Sequence, residues 1–340
     1  MASRLGLFLY DENQHNIKQG QRWAVASSIT DHQAALLCLD FADAGVPCQV
    51  LREPLDNQIQ LLESALAVAQ QWGRSAEIAN ISGNLGLAYV QRGNLPRALK
   101  LFQQDLEISR RFNDRQGEGK VLGNIGNLYR KSGDFKSAIE SHHQSLLIAR
   151  EIGDQRTEAN ALGSLGNDYV ETGEVKQAIP FYEQALTLLE ELKDRQGVGK
   201  ALGNLGNAYA DLGENDKAAQ FLSRWIEIAR DQKDVLGECL ALGSLGTISA
   251  ARGDFESAHL QLTHALELAQ ANGYLPNIAM AHYNLSLIYE RIGKLSSAID
   301  ECQAAWLIYT SINNSHVREL EQRLDRLRNR MPTYAPSDLS

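Results

Sequence analysis

The chain has 340 residues, of which 44% are hydrophobic and 22% are charged, and it contains 7 prolines. This composition is typical of a folded protein and excludes a low-complexity chain. The formal net charge of −9 disfavours nucleic acid and anionic membrane surfaces as main partners, because both attract concentrated lysine and arginine.

The cysteines and the N-terminus bear on the compartment of the protein. The four cysteines form neither a CxxC pair nor a Cys/His metal spacing, which predicts ordinary buried thiols in a reducing compartment. Residues 5–10, LGLFLY, are followed by two acidic residues and are too few for a signal-peptide core or a membrane-spanning helix. We therefore expect a cytoplasmic protein that does not insert into a membrane.

Residues 1–53 are predicted to form a small N-terminal appendage. RWAVASS and VPCQVLRE are typical of short strands, and LGLFLY is a candidate third strand. DHQAALLCLDFADAG, between them, is typical of a helix that is capped by Asp31 and closed by Gly45. These patterns favour an α/β appendage, but the residues leave open the alternative of a degenerate pair of helices.

Residues 54–312 are predicted to form an array of repeats. It opens with a partial repeat, since NQIQLLESALAVAQQWG places Leu66 forty residues before Leu106. Six repeats of forty residues follow, and in each of them one position holds a small residue: Gly86, Gly126, Gly166, Gly206, Gly246 and Ser286. A fixed period of this length predicts a solenoid, in which each repeat buries its apolar face against its neighbours.

Each repeat is predicted to be a pair of helices, because its apolar residues recur with helical spacing. In one repeat this spacing places helix A at residues 115–131 and helix B at residues 134–151. Gly133 suits the left-handed end of helix A, and Asp134 suits the N-cap of helix B.

Gly126 lies inside helix A on the side that is expected to be buried. A glycine in a helix interior costs about 1 kcal/mol relative to alanine. We therefore expect Gly126 to allow a close approach of helix B, with Ala138 as the complementary small residue.

The C-terminal part is predicted to cap the array, whose last repeat ends near residues 312–319. SHVRELEQRLDRLRNR, within residues 313–330, is amphipathic and places its apolar residues on one face: Val317, Leu320, Leu324 and Leu327. A terminal repeat needs such a polar-backed helix to cover its exposed end. Residues 331–340 are expected to be disordered.

The repeated phrase LGNLGNAYADLGENDKAAQF resembles the signature of the tetratricopeptide repeat (TPR) family. The matching positions are Leu205, Gly206, Tyr209, Gly213 and Ala218. Repeats of forty residues are similar to those of the Pins and LGN cell-polarity regulators and of bacterial multi-repeat proteins. Over about residues 55–320, the resemblance implies a mostly all-α, right-handed superhelical solenoid of antiparallel helix pairs.

The resemblance also implies a function without catalysis or cofactors. It favours a scaffold, adaptor or assembly factor that binds a peptide or protein segment in a concave groove. The alternative is a peptide-gated regulator in which residues 1–53 form the output element. The sequence alone leaves the oligomeric state open.

In proteins of this family the groove is lined by helix A positions that face away from helix B. Carried over onto this chain, these positions hold Lys120, Asn127, Arg130, Lys131, Asn160, Asn167, Lys200 and Asn207. An amide can donate to and accept from the backbone of an extended peptide, so the asparagines predict a sequence-tolerant contact. The alternative is that they form hydrogen bonds between repeats.

A second row of glycines lies on the same side of helix A: Gly123, Gly163, Gly203 and Gly243. One explanation is close approach of a ligand backbone. The other explanation is tight packing between successive A helices.

Chemistry-bearing motifs are absent from the sequence. Every glycine cluster belongs to the repeat rather than to a phosphate-binding loop. His142 and His143 are adjacent, whereas helical metal ligands are spaced four residues apart, so we expect both to lie partly exposed on helix B. We expect no metal site and no enzymatic activity.

Overall fold

A computed structural model describes residues 15–16, 18–28, 31–40 and 54–330 of the chain. Helices dominate this part of the chain, and no strand occurs among the described residues. The chain divides between Thr172 and Gly173 into two compact units, here called unit 1 and unit 2. The first two helices, α1 and α2, cover residues 18–27 and 32–40.

Six further helices belong to unit 1, and they connect through short turns. They are α3 (Leu55–Gln71), α4 (Ser75–Arg92), α5 (Leu95–Arg111), α6 (Arg115–Lys131), α7 (Phe135–Ile152) and α8 (Gln155–Glu171). The helices of unit 2 are α9 (Val175–Glu191), α10 (Arg195–Asp211), α11 (Asn215–Gln232), α12 (Val235–Ala251), α13 (Phe255–Asn272), α14 (Leu275–Arg291), α15 (Leu295–Ser311) and α16 (Val317–Asn329).

Within each unit the helices stack as pairs. In unit 1, α4 packs against α5 and α6 packs against α7; in unit 2, the same pairing joins α10 to α11, α12 to α13 and α14 to α15. Each second helix also packs against the first helix of the next pair, for example α7 against α8 and α13 against α14. The predicted all-α solenoid of helix pairs is confirmed.

Local sequence signals set the ends of these helices. α6 and α7 match the predicted helices A and B to within one residue. Asp134 accepts a hydrogen bond from the Ser137 N–H at 3.1 Å, and Gly133 has φ +83°, as an N-cap and a left-handed helix end require. The cap and turn predictions are confirmed.

The predicted N-terminal strand RWAVASS is wrong, because residues 22–27 are helical. Ala24 and Ser28 are the buried residues of this stretch, and they lie four positions apart on one helical face. Asp31 caps α2 by accepting from the Gln33 N–H at 2.8 Å, as predicted. The strands predicted at LGLFLY and VPCQVLRE, and Gly45, lie outside the described residues.

The described helices at the N-terminus pack onto the first helix of the array. Ala24, Cys38 and Leu39 share one apolar core with Ile59 and Leu62 of α3. The indole N–H of Trp72 also donates to the carbonyl of Ser28 at 3.0 Å. These contacts fit the alternative that residues 1–53 contain a degenerate helix pair.

At the other end of the chain, α16 covers α15. Leu320, Leu324 and Leu327 are buried in one cluster with Cys302 and Tyr309 of α15. The predicted capping helix is therefore present. The disorder predicted for residues 331–340 lies outside the described residues.

Candidate functional site

A polar cavity of about 590 Å³ lies in unit 1 on the faces of α6 and α8 and is bordered by α7. Lys120 and Asn127 of α6 line it together with Asn160 of α8, and all three side chains are exposed. The structure thus brings together three of the residues that were predicted to line a groove. We call this surface the unit 1 cavity.

The other predicted residues of unit 1 do not line the cavity. The guanidinium of Arg130 donates to Oδ1 of Asn127 at 2.8 Å, and the ammonium of Lys131 donates to the carbonyl of Val90 at 3.0 Å. Asn167 is half-buried. Arg130 and Lys131 therefore have structural contacts within unit 1.

In unit 2, Lys200 and Asn207 lie exposed on α10. They occupy the positions that Lys120 and Asn127 hold two repeats earlier. The side-chain amide of Asn207 is thus exposed to solvent within unit 2.

Two cationic side chains and one anionic side chain border the unit 1 cavity. Lys120, Arg156 and Asp154 all line it. The hydrogen bond from the Thr157 N–H lowers the pKa of Asp154, and the positive charge of Lys120 adds to this effect. Because Asp154 stays ionised near neutral pH, the three groups leave the cavity with one net positive charge.

The second row of glycines does not form contacts between A helices, and one of its members, Gly123, lines the unit 1 cavity. A Cβ atom on Gly163 or Gly243 would meet no atom within 4 Å, and one on Gly123 would meet only Oγ of Ser145, at 3.6 Å. Gly203 differs, because its Cβ would lie 2.6 Å from the Trp225 ring on helix α11. Tight packing between successive A helices therefore does not explain these glycines.

Replacing Gly163 by alanine is expected to stabilise the protein by about 0.5–1 kcal/mol, because alanine favours a helix interior and its methyl group meets open space. The same change at Gly203 is expected to destabilise it, since the added Cβ collides with Trp225. Urea denaturation followed by circular dichroism measures both. A loss of stability in Gly163→Ala would show that another group packs on this glycine.

A buried histidine–aspartate pair lies beneath the unit 1 cavity. His142 and Asp168 are both 0% exposed, and Nδ1 of His142 lies 2.5 Å from Oδ2 of Asp168. A carboxylate accepts, so Nδ1 is the donor of this hydrogen bond. The prediction that His142 lies partly exposed is wrong, because helix α7 turns it toward α6 and α8; only the adjacent His143 is half-buried.

The same histidine explains Gly126. A Cβ on Gly126 would lie 2.5 Å from Nε2 of His142, which is closer than real atoms approach. The predicted close approach of helix B is present, and the contribution of Ala138, which is fully buried, stays a prediction. The partner of the small position is the ring of His142.

The buried pair has one further charged neighbour. A guanidinium nitrogen of Arg130 lies 3.7 Å from Oδ1 of Asp168. Nε2 of His142, Oδ1 of Asp168 and Nη1 of Arg130 are buried and form no hydrogen bond with another described residue. The cluster thus places in the core of unit 1 three polar atoms without hydrogen-bond partners among the described residues.

The sequence analysis did not predict this pair, although a comparison of equivalent positions in the repeats reveals a signal for it. At the position of His142 the other repeats hold Phe102, Tyr182, Leu222, Leu262 and Cys302. At the position of Asp168 they hold Ala88, Leu128, Ala208, Ile248 and Ile288. Two polar residues at positions that are otherwise mostly apolar, and that meet in space, are the expected mark of a buried pair.

In the described part of the chain, no three or more His, Cys, Asp or Glu residues converge as the ligands of a metal ion would. Nε2 of His259, on helix α13, lies 2.8 Å from the hydroxyl of Tyr289. No helix among the described residues has the length and apolar character to cross a bilayer.

Comparisons with known protein families agree with the fold. Models described as tetratricopeptide repeat match residues 78–112, 118–191, 197–271 and 245–306, which is more than half of the chain. The chain matches none of the curated proteins with which it was compared.

Solved structures of the same fold have low sequence identity to the chain. A signal transduction ATPase with a tetratricopeptide repeat sensor, from Pyrococcus horikoshii, is 18% identical with a TM-score of 0.67; the match covers 95% of this chain and 50% of the ATPase. Aspartyl phosphate phosphatase F from Bacillus subtilis is 13% identical with a TM-score of 0.62, over 98% and 93% of the two chains.

A Rap protein complexed with Competence and Sporulation Factor is 12% identical with a TM-score of 0.60, over 96% of this chain and 98% of that protein. At these identities the similarity shows the fold alone. Since the repeat models match most of the helical stack and the solved structures share its fold, the chain belongs to the tetratricopeptide repeat family.

Proposed function

We propose that the protein is a non-enzymatic scaffold or adaptor that binds a peptide or protein segment on the inner faces of its A helices. Here the inner face is the side of helix A that faces away from helix B. The observation that carries the proposal is the unit 1 cavity, in which Lys120, Asn127 and Asn160 converge from two successive A helices. Glycines without packing partners lie on the same face.

The chemistry of the cavity suits a polypeptide backbone. Asn127 and Asn160 each offer a donor and an acceptor, which is the complement of a peptide group. Lys120 and Arg156 outnumber Asp154 by one charge, so the cavity favours a segment that is acidic or rich in carbonyl oxygens. The bare surface at Gly123 and Gly163 allows a backbone to approach the helix closely.

The buried His142–Asp168 pair does not point to catalysis. Its composition is that of an acid–base dyad, but Nε2 of His142 is buried against Gly126. A general base must reach the proton of a substrate within hydrogen-bond distance. We therefore infer a structural role for this pair.

The described N-terminal helices do not form a core of their own. α1 and α2 share their apolar core with α3, so we do not propose residues 1–53 as an output element. Cys38, Cys239 and Cys302 are free and buried, which fits a reducing compartment. A cytoplasmic location is part of the proposal.

The test compares two triple variants. Lys120→Ala/Asn127→Ala/Asn160→Ala is expected to weaken the binding of a partner segment at least tenfold, because each lost hydrogen bond contributes about 0.5–1.5 kcal/mol and 1.4 kcal/mol is one decade in affinity. The matched control replaces Lys100, Gln103 and Lys136, which lie exposed on B helices. Affinity is measured by fluorescence anisotropy with a segment mapped from a partner captured by the wild type.

The control variant is expected to bind as the wild type does, and circular dichroism is expected to show that both variants remain folded. Equal affinity of the cavity variant and the wild type would contradict the proposal. Loss of binding in the B-helix variant alone would place the site on the opposite side of the helix pairs.

A further inference from the structure

Unit 2 contains a surface equivalent to the unit 1 cavity, with a different chemistry. Three repeats after the residues of the cavity, the same positions lie on α12 and α14. There Gln116 is replaced by Leu236, Lys120 by Leu240, Arg156 by Pro276 and Asn160 by Met280. The positions of His142 and Ser145 hold Leu262 and Ala265. A hydrophilic surface in unit 1 thus has an apolar counterpart in unit 2.

These apolar residues are exposed to solvent. Leu236 is 40% exposed, Leu240 is 42% exposed and Met280 is 53% exposed. Helix α12 carries a single charged residue, Glu238, and its opposite face is already buried in the core. A helix that is apolar on both sides is expected to be covered on both.

A pocket of about 160 Å³ continues this surface. Thr247, Leu262 and Asn284 belong both to the pocket and to the positions that correspond to the unit 1 cavity. Leu287 and Ile288 provide further apolar wall. The volume is well below the roughly 300–1,000 Å³ of pockets for drug-sized molecules, so the pocket is suited to a single side chain.

The charge at the rim of this pocket is positive. Arg291 lines it and forms no ion pair with any other described residue. Glu290, the neighbour of Arg291 in the sequence, is engaged elsewhere, because it pairs with Arg323 at 2.5 Å. A carboxylate next to the occupant of the pocket would therefore meet an unpaired guanidinium.

We propose that the apolar surface of α12 and α14 binds an aliphatic side chain of an extended acidic segment, with a carboxylate of that segment on Arg291. The proposal rests on the proposed function and deepens it, because it names the chemistry of the bound segment on unit 2. Gly243, whose Cβ would meet nothing within 4 Å, allows the backbone of the segment to approach α12.

A segment of polypeptide fits this surface better than a second copy of the chain. A stable dimer buries about 800 Å² on each partner, far more than three half-exposed side chains and a pocket for one side chain provide. The unpaired guanidinium of Arg291 also favours an acidic residue of the partner at the rim of the pocket. A single aliphatic residue followed by an acidic one satisfies both features.

The test uses a phage-displayed library of random twelve-residue peptides against the immobilised full chain. Peptides that bind the wild type are expected to be enriched in aliphatic and acidic residues. The variant Leu240→Lys/Met280→Asn copies Lys120 and Asn160, which occupy the equivalent exposed positions in unit 1, so it is expected to fold normally. It is expected to bind the selected peptides at least tenfold more weakly, because the segment loses the exposed apolar stretch of α12 and α14 that leads to the pocket.

Two controls separate the parts of the proposal. Leu260→Lys, at a leucine that is 71% exposed on helix α13, is expected to leave peptide affinity unchanged. Arg291→Gln is expected to abolish the preference for acidic residues while the aliphatic preference remains. Circular dichroism melting of each variant confirms that it is folded.

Several results would overturn the proposal. Selected peptides that depend on Lys120 and Asn160, but not on Leu240, would overturn it while the proposed function stands. A wild type that binds no peptide would overturn both. A dimer in sedimentation analysis that Leu240→Lys/Met280→Asn dissociates would show that a second copy covers this surface instead.

Discussion

Asp168→Ala is expected to lower the free energy of unfolding by about 3–5 kcal/mol, because it removes one partner of a buried polar pair. The change leaves Nδ1 of His142 without its acceptor in a fully buried position. It also removes the carboxylate that lies 3.7 Å from the guanidinium of Arg130. Urea denaturation followed by circular dichroism measures the loss.

The chain itself provides the matched control for this experiment. In unit 2, Leu222 and Ile248 occupy the positions of His142 and Asp168 and pack in one apolar cluster. The double variant His142→Leu/Asp168→Ile copies that pair, and it is expected to be as stable as the wild type or more stable. Arg130 keeps the side-chain oxygen of Asn127 as an acceptor. A single variant Asp168→Ala within 1 kcal/mol of the wild type would show that the buried pair does not form.

The second large effect is expected at Gly126. Gly126→Leu should cost about 1–3 kcal/mol, because extra atoms in a packed core force neighbouring side chains and backbone to move. Even the first added carbon would lie 2.5 Å from the ring of His142. The melting temperature reports the loss.

Gly163→Leu is the control for this overpacking. It makes the same substitution in the next A helix, where an added Cβ meets nothing within 4 Å. We expect it to be at least as stable as the wild type. Equal stability of the two leucine variants would mean that α6 and α7 do not approach as closely as described.

The sequence allowed the repeat, the helix pairs and the helix ends to be predicted, because their signals are local and recur forty residues apart. Gly133 and Asp134 show this: each residue has a conformational or hydrogen-bonding preference that is satisfied where it stands. The N-terminal strand failed for the opposite reason. RWAVASS is short, and an alternating pattern over a few residues does not exclude a helix that buries Ala24 and Ser28.

The candidate site was predictable only in part. Lys120, Asn127 and Asn160 were found because the family pattern places them on one side of helix A. His142 was missed because it was weighed against its sequence neighbour as a metal ligand and not against its equivalents in the other repeats. Asp168, 26 residues further on, gave no signal until the fold placed its carboxylate beside the imidazole.

The most direct test of the account is site-specific photo-crosslinking to a partner segment in cells. A photoreactive amino acid replaces Asn160 on the inner face in one variant and Glu140, exposed on helix α7, in another. The account predicts that position 160 crosslinks one defined segment, which mass spectrometry identifies, and that a synthetic copy of this segment binds the purified wild type. Crosslinks to that segment from position 140 and none from position 160 would contradict binding at the inner face.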